Sequence, residues 1–564
     1  MTRFDHRKYR RPERVPAFDR HWPDREIEQA PTWLSEDLRD GNQALLEPMS
    51  VAQKQRFWRL LVDVGFKEVM VGFPSASRPD YDFVRWLIEA DQIPDDVTIS
   101  VLVQCREHLI ERTFDALKGV KRAIVHLYNS TSTVQRERVF EMDRAGIVNI
   151  AVTGAESVKR HAARYPEVDW TFQYSPESFS STEIDFSIEI CEAVMDVWQP
   201  TPDNRCILNL PNTVEVAGPH HHADQIEYFC RHIRDRDSVI VSVHTHHDRG
   251  GAVAAAELAL LAGAERVEGT LLGNGERTGN MDIVTLGMNL YSQGIDPGLD
   301  LSRPDEIVRV VEECTGIALH PRHPWVGELV YTAFSGSHQD AIRKSLRRQR
   351  DDEHWQVAYL PIDPRDIGRD YQAVIRVNSQ SGKGGMAFLL ERDYGISLPR
   401  WMMLELAPYV QAESERCSGE LTSARVRDLL FRHFERRGPL TLVDYSLDRS
   451  AGGQSVSATV MDGDRRLTLN GRGNGAMSAF INAWEAHSGE EVAVTDYSEH
   501  ALTEGSDADA IAFVQLRANE RRVCAVAEDS DTVSASLKAI IGAINLAREA
   551  EEQGLRDGLT ELAV

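Results

Sequence analysis

TWLSEDLRDGNQ, residues 32–43, runs from a short apolar segment straight into a polar turn. A doubly wound open sheet that binds a dinucleotide would carry a GxGxxG fingerprint after its first strand, and RDGNQ does not match it. Further apolar, β-rich segments follow up to residue 275 and alternate with amphipathic helical patterns. The predicted strands cover residues 32–38, 68–73, 98–104, 122–128, 169–175, 205–210, 238–244 and 266–272. Eight such units in about 250 residues predict a (β/α)8 TIM barrel.

One further segment complicates this count of strands. IVNIAVTG, residues 147–154, is rich in β-branched residues but continues into AESVKRHAARYP without a breaker. Because strands are normally bounded by turn residues, we interpret this segment as the start of a helix.

The remainder of the chain divides by its sequence pattern. Residues 1–30 form an N-terminal extension, and we assign residues 31–325 to the barrel. Residues 326–430 carry helical patterns and are predicted to form small helical linker subdomains. Residues 431–564 contain a weak repeat of two βββα units, which predicts a C-terminal α+β domain. Two such units can share a core and hold a small ligand between them, or they can serve dimerisation alone.

Bulk composition argues against several classes of function. The 564 residues carry a formal charge of −25, whereas a nucleic-acid-binding protein normally shows a basic patch. No segment approaches the length of a membrane span, about 20 apolar residues, and the basic N-terminus lacks the apolar core of a secretory signal. The seven cysteines are scattered without a CxxC pair, which is typical of a reducing compartment. We therefore expect a cytoplasmic protein without a nucleic-acid or membrane partner.

Polar side chains follow several predicted strands where those strands end. Asp40 follows the first strand, His126 ends the fourth, His244 and His246 end the seventh, and Asn280 follows the eighth. The carboxyl ends of barrel strands meet at one rim, where barrel active sites lie. Oxygen and imidazole ligands together suit Mg²⁺, Mn²⁺ or Zn²⁺ acting on the oxygens of a substrate. The coincidence of these residues at one rim favours a divalent-metal site.

Each polar residue also has a plainer explanation when taken alone. A single HxH at a strand end is more often hydrogen-bonded surface histidine, and an aspartate beside glycine is an ordinary turn residue. The triplet HHH at residues 220–222 resembles a metal site, but it follows Gly-Pro, and we predict a solvated loop there.

A set of motifs resembles the 2-isopropylmalate synthase family, in the long form with a C-terminal leucine-sensing domain. The resemblance runs from about residue 20 to about residue 550 and rests on the order and number of the motifs. They are LRDGNQ, VGFPSAS, YSPESFSSTE, LPNTVE, HTHHDRG, GNGERTGN, TAFSGSHQDAI and RVNSQSGKGG.

The resemblance implies a condensing enzyme that depends on a metal. Such an enzyme joins the acetyl group of acetyl-CoA, its co-substrate, to a 2-oxo acid and hydrolyses the thioester. By motif, Asp40, His244 and His246 would be the metal ligands, with Asn280 beside or on the metal. The metal would polarise the keto group as a Lewis acid.

The same resemblance assigns residues that would bind the 2-oxo acid. Arg39 would stabilise the alkoxide that forms from the keto group. Thr213 would hydrogen-bond the substrate carboxylate, and His126 would line the same pocket. Gln43 would brace the turn or line the pocket.

A base must remove a weakly acidic methyl proton from acetyl-CoA. By resemblance this role falls to Glu177, acting with His338 and Tyr371. The last two are expected from the partner subunit, so activity would require a homodimer. The plainer explanation for Glu177 is a contact with the dipole of the following helix, and for His338 a polar position on a helix.

The C-terminal domain resembles a leucine-binding domain around VTDYSEHALTEGSDADA. Val494, Tyr497, Ala501 and Ala508 are the candidates for lining a leucine pocket. Leucine is therefore expected as an effector that acts on the dimer.

The sequence also departs from the family pattern. The family commonly has an acidic residue on strand two, as in KEIEVGFP, and this chain has KEVMVGFP with Met70. In HTHHDRG, Thr245 and His247 replace the usual proline and asparagine. These changes leave three possibilities open. The chain is the ordinary leucine-pathway enzyme, a paralogue for another 2-oxo acid of the citramalate, homocitrate or specialised-metabolite type, or a catalytically weak regulatory member.

Overall fold

The computed structural model describes residues 4–369, 383–417, 421–450, 453–503, 508–518 and 521–561. The chain forms two compact units. One unit comprises Met1–Val330 with Asp366–Gly368, and the other comprises Tyr331–Arg365 with Arg369–Val564. Each unit has its own architecture.

A closed barrel of parallel strands forms the centre of the first unit. Its strands are β1 (Thr32–Ser35), β2 (Glu68–Gly72), β3 (Thr98–Gln104), β4 (Arg122–Ser130), β5 (Asp169–Glu177), β6 (Cys206–Asn212), β7 (Val239–Thr245) and β8 (Arg266–Gly269). They pair in sequence order, and β8 closes on β1, so the predicted TIM barrel is confirmed.

Helices cover the outside of this barrel. They are α1 (Val51–Val64), α2 (Arg78–Glu89), α3 (Glu107–Ala116), the single turn α4 (Thr133–Gln135), α5 (Arg144–Ala162), α6 (Ile184–Trp198), α7 (Pro219–His232), α8 (Ala252–Leu261), α9 (Ile283–Tyr291) and α10 (Pro304–Thr315). The doubtful segment 147–154 lies inside α5, so its interpretation as helix is confirmed.

Local sequence signals explain where α1 begins and ends. Ser50 and Gln53 form a capping box, in which each side chain bonds the backbone N–H of the other residue. Gly65 follows the helix with a φ of 106°, a left-handed conformation that glycine adopts without strain. The helix therefore turns the chain sharply into β2.

The second unit contains helices and two small sheets. The helices of its first part are α11 (Gly336–Leu346), α12 (Lys383–Tyr394), α13 (Arg400–Cys417) and α14 (Ser423–Phe434). Two repeats follow, namely β9 (Leu440–Ser450), β10 (Gly453–Asp462), β11 (Arg465–Gly473) and α15 (Ala476–Ser488), then β12 (Val492–Ala501), β13 (Ala510–Ala518), β14 (Arg521–Asp529) and α16 (Thr532–Glu561). Each sheet is antiparallel, and both repeats contribute to one buried core, so the two predicted βββα units are confirmed.

Two observations concern the chain as a whole. None of the helices in the described residues is both long enough and apolar enough to cross a membrane. All seven cysteines are free thiols.

Candidate active site

The turn after β1 carries the first polar residues of the site. Strand β1 ends at Ser35, and Asp37–Gly41 form one turn of π-helix at the barrel rim. The Glu36 amide still donates to Gly269 O at 2.7 Å, which anchors the start of this turn to β8. Arg39 and Asp40 therefore project into the barrel mouth, where both are largely buried.

Asp40, His244 and His246 form a group that could hold a metal ion. Their potential ligand atoms all lie within 4.8 Å of one another, and all three residues are buried. Asp40 Oδ2 lies 3.2 Å from His246 Nε2 and 3.6 Å from His244 Nε2. Buried Asn280 forms an isolated bridge with His246, and its Oδ1 has no hydrogen-bond partner among the described residues. One carboxylate, two imidazoles and an orphaned amide oxygen fit a divalent cation.

Hydrogen bonds to the far side of each ring orient the two imidazoles. His244 Nδ1 donates to Glu268 Oε2 at 2.9 Å, and His246 Nδ1 donates to Thr213 O at 2.8 Å. Carboxylates and carbonyls can only accept, so each Nδ1 carries a proton and each Nε2 is directed at Asp40. Metal-ligating histidines typically have such partners, which raise the basicity of the ligating nitrogen.

Electrostatics at this group favour an ionised Asp40. Burial alone raises the pKa of Asp40, but Arg39 and the two histidines outweigh it and hold the pKa well below its ordinary value. Burial also lowers the pKa of His244, but hydrogen bonds to Asp40 and Glu268 outweigh it and raise the pKa to about 10. Asp40 thus offers a charged ligand oxygen at neutral pH.

Glu268, in the middle of β8, was not predicted as a site residue. Its side chain is fully buried, and both oxygens accept hydrogen bonds. Oε1 accepts from Gln173 and Arg266, each at 2.7 Å, and Oε2 accepts from Asn209 at 3.1 Å as well as from His244. A charged residue inside a short apolar strand was the available sequence signal, because such a charge must find partners when buried.

A second group, Glu36, His126 and Glu268, also has ligand atoms close enough to hold a metal. The four hydrogen bonds that Glu268 already accepts fill its acceptor positions. The first group is therefore the better metal site.

One cavity of about 640 Å³ opens at the rim over these residues. Its volume is typical of a small-molecule site. The structure brings together eight of the predicted residues around this cavity, namely Arg39, Asp40, Gln43, His126, Glu177, Thr213, His244 and His246. Phe73, Leu102 and Tyr128 supply an apolar part of the same lining.

Three of the predicted substrate-contacting residues have defined partners. His126 Nε2 lies 2.7 Å from Ser175 Oγ, and burial lowers the pKa of His126 to about 3, so the ring is neutral. Thr213 Oγ1 accepts from a backbone amide at 2.9 Å, which leaves its hydroxyl proton to donate. Glu177 Oε2 accepts from the hydroxyl of Ser130.

Three family models match consecutive parts of the chain. They are HMGL-like over residues 30–311, alpha-isopropylmalate synthase, post-catalytic domain-like, over residues 328–391, and the LeuA allosteric (dimerisation) domain over residues 420–548. The 2-isopropylmalate synthase of Alcanivorax borkumensis is 56% identical and covers 98% of this chain and 99% of its own length. This chain belongs to the 2-isopropylmalate synthase family. Proteins of the same name from Pseudomonas syringae pv. syringae and Azotobacter vinelandii are each 54% identical and cover 97% of this chain and 98% of their own length.

Two residues that the family resemblance assigns to catalysis lie outside the barrel. His338 is in α11 of the second unit, where its ring stacks on Tyr359 with 3.9 Å between centroids. Tyr371 lies outside the described residues. Their roles beside Glu177 stay predictions.

The four residues predicted to bind leucine lie in the LeuA domain of this family member. Val494, Tyr497 and Ala501 are on β12, and Ala508 is partly buried between β12 and β13. The register of β12 shifts between residues 494 and 496, so Val494 pairs with Leu516 and Tyr497 with Val514.

This shift places the β12 candidates on one side of the sheet. Their partners on β13 are an even number of residues apart and so share a face. Val494, Tyr497 and Ala501 therefore all point the same way. Tyr497 Oη also lies 2.6 Å from Ser536 Oγ on α16, which shows that this face is turned toward α16.

The prediction for the HHH triplet at residues 220–222 was wrong. These residues begin α7, because Pro219 occupies its first position, where proline is well tolerated. His222 is buried against Phe179, with their rings edge-on at 6.4 Å, while His220 is exposed. Burial lowers the pKa of His222 to about 4, so its ring is neutral in the barrel wall.

Met70, the departure from the family pattern, is completely buried inside the barrel. It packs with Leu34 and Leu102 behind the apolar part of the cavity lining. Glu36 nevertheless supplies a carboxylate beside Arg39, and its Oε2 lies 2.8 Å from Arg39 Nη2. Burial raises the pKa of Glu36 to about 7, and Arg39 is the group that opposes this rise most strongly.

Proposed function

We propose that this chain is a 2-isopropylmalate synthase that condenses acetyl-CoA with 3-methyl-2-oxobutanoate and hydrolyses the thioester. The observation that carries the proposal is the cluster of Asp40, His244 and His246 opening into a cavity that Arg39 and Glu177 also line. A chain of this family with that arrangement can bind a 2-oxo acid and remove a proton beside it.

The cofactor in this proposal is a divalent cation held by Asp40, His244 and His246, with Asn280 beside it. When bound, such a cation supplies Lewis acidity to the keto oxygen of the substrate. Mg²⁺, Mn²⁺ and Zn²⁺ all suit a mixed set of oxygen and imidazole ligands. The protein contributes the orientation of both rings through Glu268 and the backbone of residue 213.

Arg39 and Thr213 would bind the keto oxygen and the carboxylate of the reacting 2-oxo acid. The guanidinium of Arg39 stabilises the oxygen that becomes an alkoxide when the carbon–carbon bond forms. Thr213 donates its free hydroxyl proton to the carboxylate of the substrate. The apolar lining of Phe73, Leu102 and Tyr128 suits a branched aliphatic group such as the isopropyl group of 3-methyl-2-oxobutanoate.

Glu177 would take the methyl proton of acetyl-CoA. The Ser130 hydroxyl holds Glu177 Oε2, and we assign the proton to the other oxygen. The resulting enolate carbon attacks the keto carbon, the alkoxide is protonated, and water then cleaves the thioester to release CoA thiol. His338 and Tyr371 of a partner subunit would assist this step in a homodimer.

Regulation by leucine completes the proposal. Val494, Tyr497, Ala501 and Ala508 would line its site, which is supported by the common face of the β12 residues. The match to an allosteric dimerisation domain supports a homodimer as the regulated species. We place this enzyme in the cytoplasm, where free thiols such as its seven cysteines persist.

The test is release of CoA thiol from acetyl-CoA in the presence of a panel of 2-oxo acids. We expect release with 3-methyl-2-oxobutanoate, dependence on an added divalent cation, and inhibition by leucine. Faster turnover of pyruvate or 2-oxoglutarate would identify a paralogue for another substrate instead. Absence of thiol release with every 2-oxo acid, together with leucine binding in calorimetry, would contradict the enzymatic proposal. Asp40→Asn serves as the matched variant, because it keeps the side-chain shape and removes the charged ligand.

A further inference from the structure

Arg39 is a buried cation whose orientation depends on two different carboxylates. Nη1 lies 2.9 Å from Asp40 Oδ1, and Nη2 lies 2.8 Å from Glu36 Oε2. The other oxygen of Asp40 faces the two histidines. Asp40 therefore shares its single negative charge between the metal site and Arg39, and a buried guanidinium is costly unless its charge is fully paired.

Arg39 is the partner that accounts for Glu36 in this part of the barrel. The Glu36 side chain is completely buried, and apart from Arg39 neither oxygen has a hydrogen-bond partner among the described residues. His244 Nδ1 is 3.8 Å from Glu36 Oε1 but is already bonded to Glu268. Burying a carboxylate for a single cation costs more free energy than burying a neutral side chain of similar size. Its presence here therefore points to a role at that cation.

The position of Glu36 next to Met70 accounts for the absence of an acidic residue at position 70 on β2. The parallel register of β1 and β2 pairs Ser35 with Val69, which places Glu36 next to Met70. Met70 is surrounded by apolar side chains, including Leu34. Glu36 thus supplies a carboxylate beside Met70, and it comes from the residue that follows β1 rather than from β2.

We propose that Glu36 is a positioning residue that holds Arg39 for alkoxide stabilisation, and that its carboxylate replaces the one Met70 does not supply. This inference rests on the proposed synthase activity. It assigns no contact between Glu36 and the substrate. Glu36 acts through Arg39, because its carboxylate holds Nη2 in place and offsets the guanidinium charge.

The test uses an exchange of the carboxylate between the two neighbouring positions. Glu36→Gln should lower kcat for thiol release about 10- to 100-fold, the usual cost of losing an outer partner of an active-site group. Met70→Glu alone should also lower kcat, because it puts two carboxylates side by side against one guanidinium. The double variant Glu36→Gln/Met70→Glu should regain about 10-fold over Glu36→Gln, since the charge returns from the adjacent strand.

Glu36→Gln/Met70→Gln is the matched control, because it introduces a side chain of the same size without charge. It should show no recovery. Mn²⁺ bound per chain should stay at the wild-type value in all variants, and the thermal unfolding midpoint of Glu36→Gln should stay at the wild-type value. A purely structural role for Glu36 would lower the unfolding midpoint and would not be corrected by a carboxylate at position 70.

Three results would overturn the inference. They are wild-type kcat in Glu36→Gln, equal recovery with glutamine and glutamate at position 70, and loss of bound Mn²⁺ in Glu36→Gln, which would make Glu36 a metal ligand. An inactive wild-type enzyme would instead refute the synthase proposal. In that case, calorimetric titration with 3-methyl-2-oxobutanoate tests the role of Glu36. Glu36→Gln should weaken binding of this 2-oxo acid, and Glu36→Gln/Met70→Glu should restore it.

Discussion

Replacing Glu268 with glutamine tests how the barrel prepares His244 to bind a metal. The substitution exchanges one of the two carboxylate oxygens for an NH₂ group that donates instead of accepting. At the Oε1 position that group would face Gln173 and the cation Arg266, and at the Oε2 position it would face Asn209 and His244. Placing the NH₂ group at the Oε2 position keeps it away from Arg266 and is therefore favoured.

An amide NH₂ beside His244 changes which ring nitrogen carries the proton. With its pKa raised to about 10, the metal-free His244 ring carries a proton on both nitrogens, and metal binding must displace the one on Nε2. If Nδ1 has to accept from the amide, the one remaining ring proton would be held on Nε2 instead, the nitrogen that lies 3.6 Å from Asp40. A protonated Nε2 cannot ligate a metal. Metal affinity should therefore fall about 10- to 100-fold in Glu268→Gln, the usual effect of losing such a partner.

The same substitution should destabilise the metal-free fold. A hydrogen bond to a charged acceptor contributes about 1 kcal/mol more than one to a neutral acceptor, so weakening the bonds from Gln173 and Arg266 costs about 2 kcal/mol. The bond from Asn209 is lost against the new NH₂ group at about 2 kcal/mol more, so Glu268→Gln should cost about 4 kcal/mol in total. Glu265→Gln is the matched control, because Glu265 pairs with Arg205 and Arg236 at the partly exposed position just before the same strand. Its exposed pairs should contribute less than about 1 kcal/mol.

Calorimetric titration of the metal-free protein with Mn²⁺ measures the first effect, and denaturant unfolding without metal measures the second. Wild-type Mn²⁺ affinity in Glu268→Gln would refute the reasoning from the tautomer of His244. Equal destabilisation by Glu268→Gln and Glu265→Gln would refute the reasoning from burial.

Three further substitutions test other parts of the structure. Glu177→Gln should lower kcat for thiol release by about 10²- to 10⁴-fold as a lost general base, while calorimetric binding of the 2-oxo acid should stay unchanged. Burial raises the pKa of Glu183, but the hydrogen bonds it accepts and the charges of Arg136 and Arg144 together outweigh burial and lower the pKa to about 2. Its stabilisation is therefore present above the ordinary carboxyl pKa and lost as pH falls toward 2, so the difference in unfolding midpoint between wild type and Glu183→Gln should shrink from about pH 4.5 downward. Gly72→Ala should destabilise the fold by about 1–3 kcal/mol in denaturant titration, because φ is +146° and the new Cβ would lie 2.8 Å from the Asp80 carboxylate.

Alternating patterns in the sequence located every barrel strand but not all of their ends. The first strand was predicted over residues 32–38 and stops at Ser35, and the eighth was predicted over 266–272 and stops at Gly269. In both cases buried residues continue past the strand, including Leu38 after β1 and Leu271 after β8, because the rim turns are themselves buried. Asp40 and His244 could be predicted as neighbours because strand order alone brings strand ends to one rim.

Glu36 and Glu268 could not be assigned from the sequence. Each is a single acidic residue within a short segment, a pattern that also fits an exposed strand position. The cation that pairs with each is close in the sequence, Arg39 for one and Arg266 for the other. The burial that gives these pairs a role in the site follows from the pairing of β8 with β1, which joins residues more than 200 positions apart. The same limit explains His222, whose helix buries it on the side facing Phe179.

The ion pairs around the candidate metal group carry surplus negative charge. Among the described residues, the connected set joins four carboxylates to two guanidinium groups, namely Glu36, Asp40, Glu68 and Glu268 with Arg39 and Arg266. Above about pH 7, where Glu36 is also ionised, these six groups sum to −2, and the protonated ring of His244, whose pKa is raised to about 10, reduces the sum to −1. A metal bound through His244 Nε2 would displace that proton and return the sum to −2, which a divalent ion would offset in this largely buried volume. A monovalent ion would leave the carboxylate of a 2-oxo acid facing a net negative site, so the charge balance favours a divalent metal.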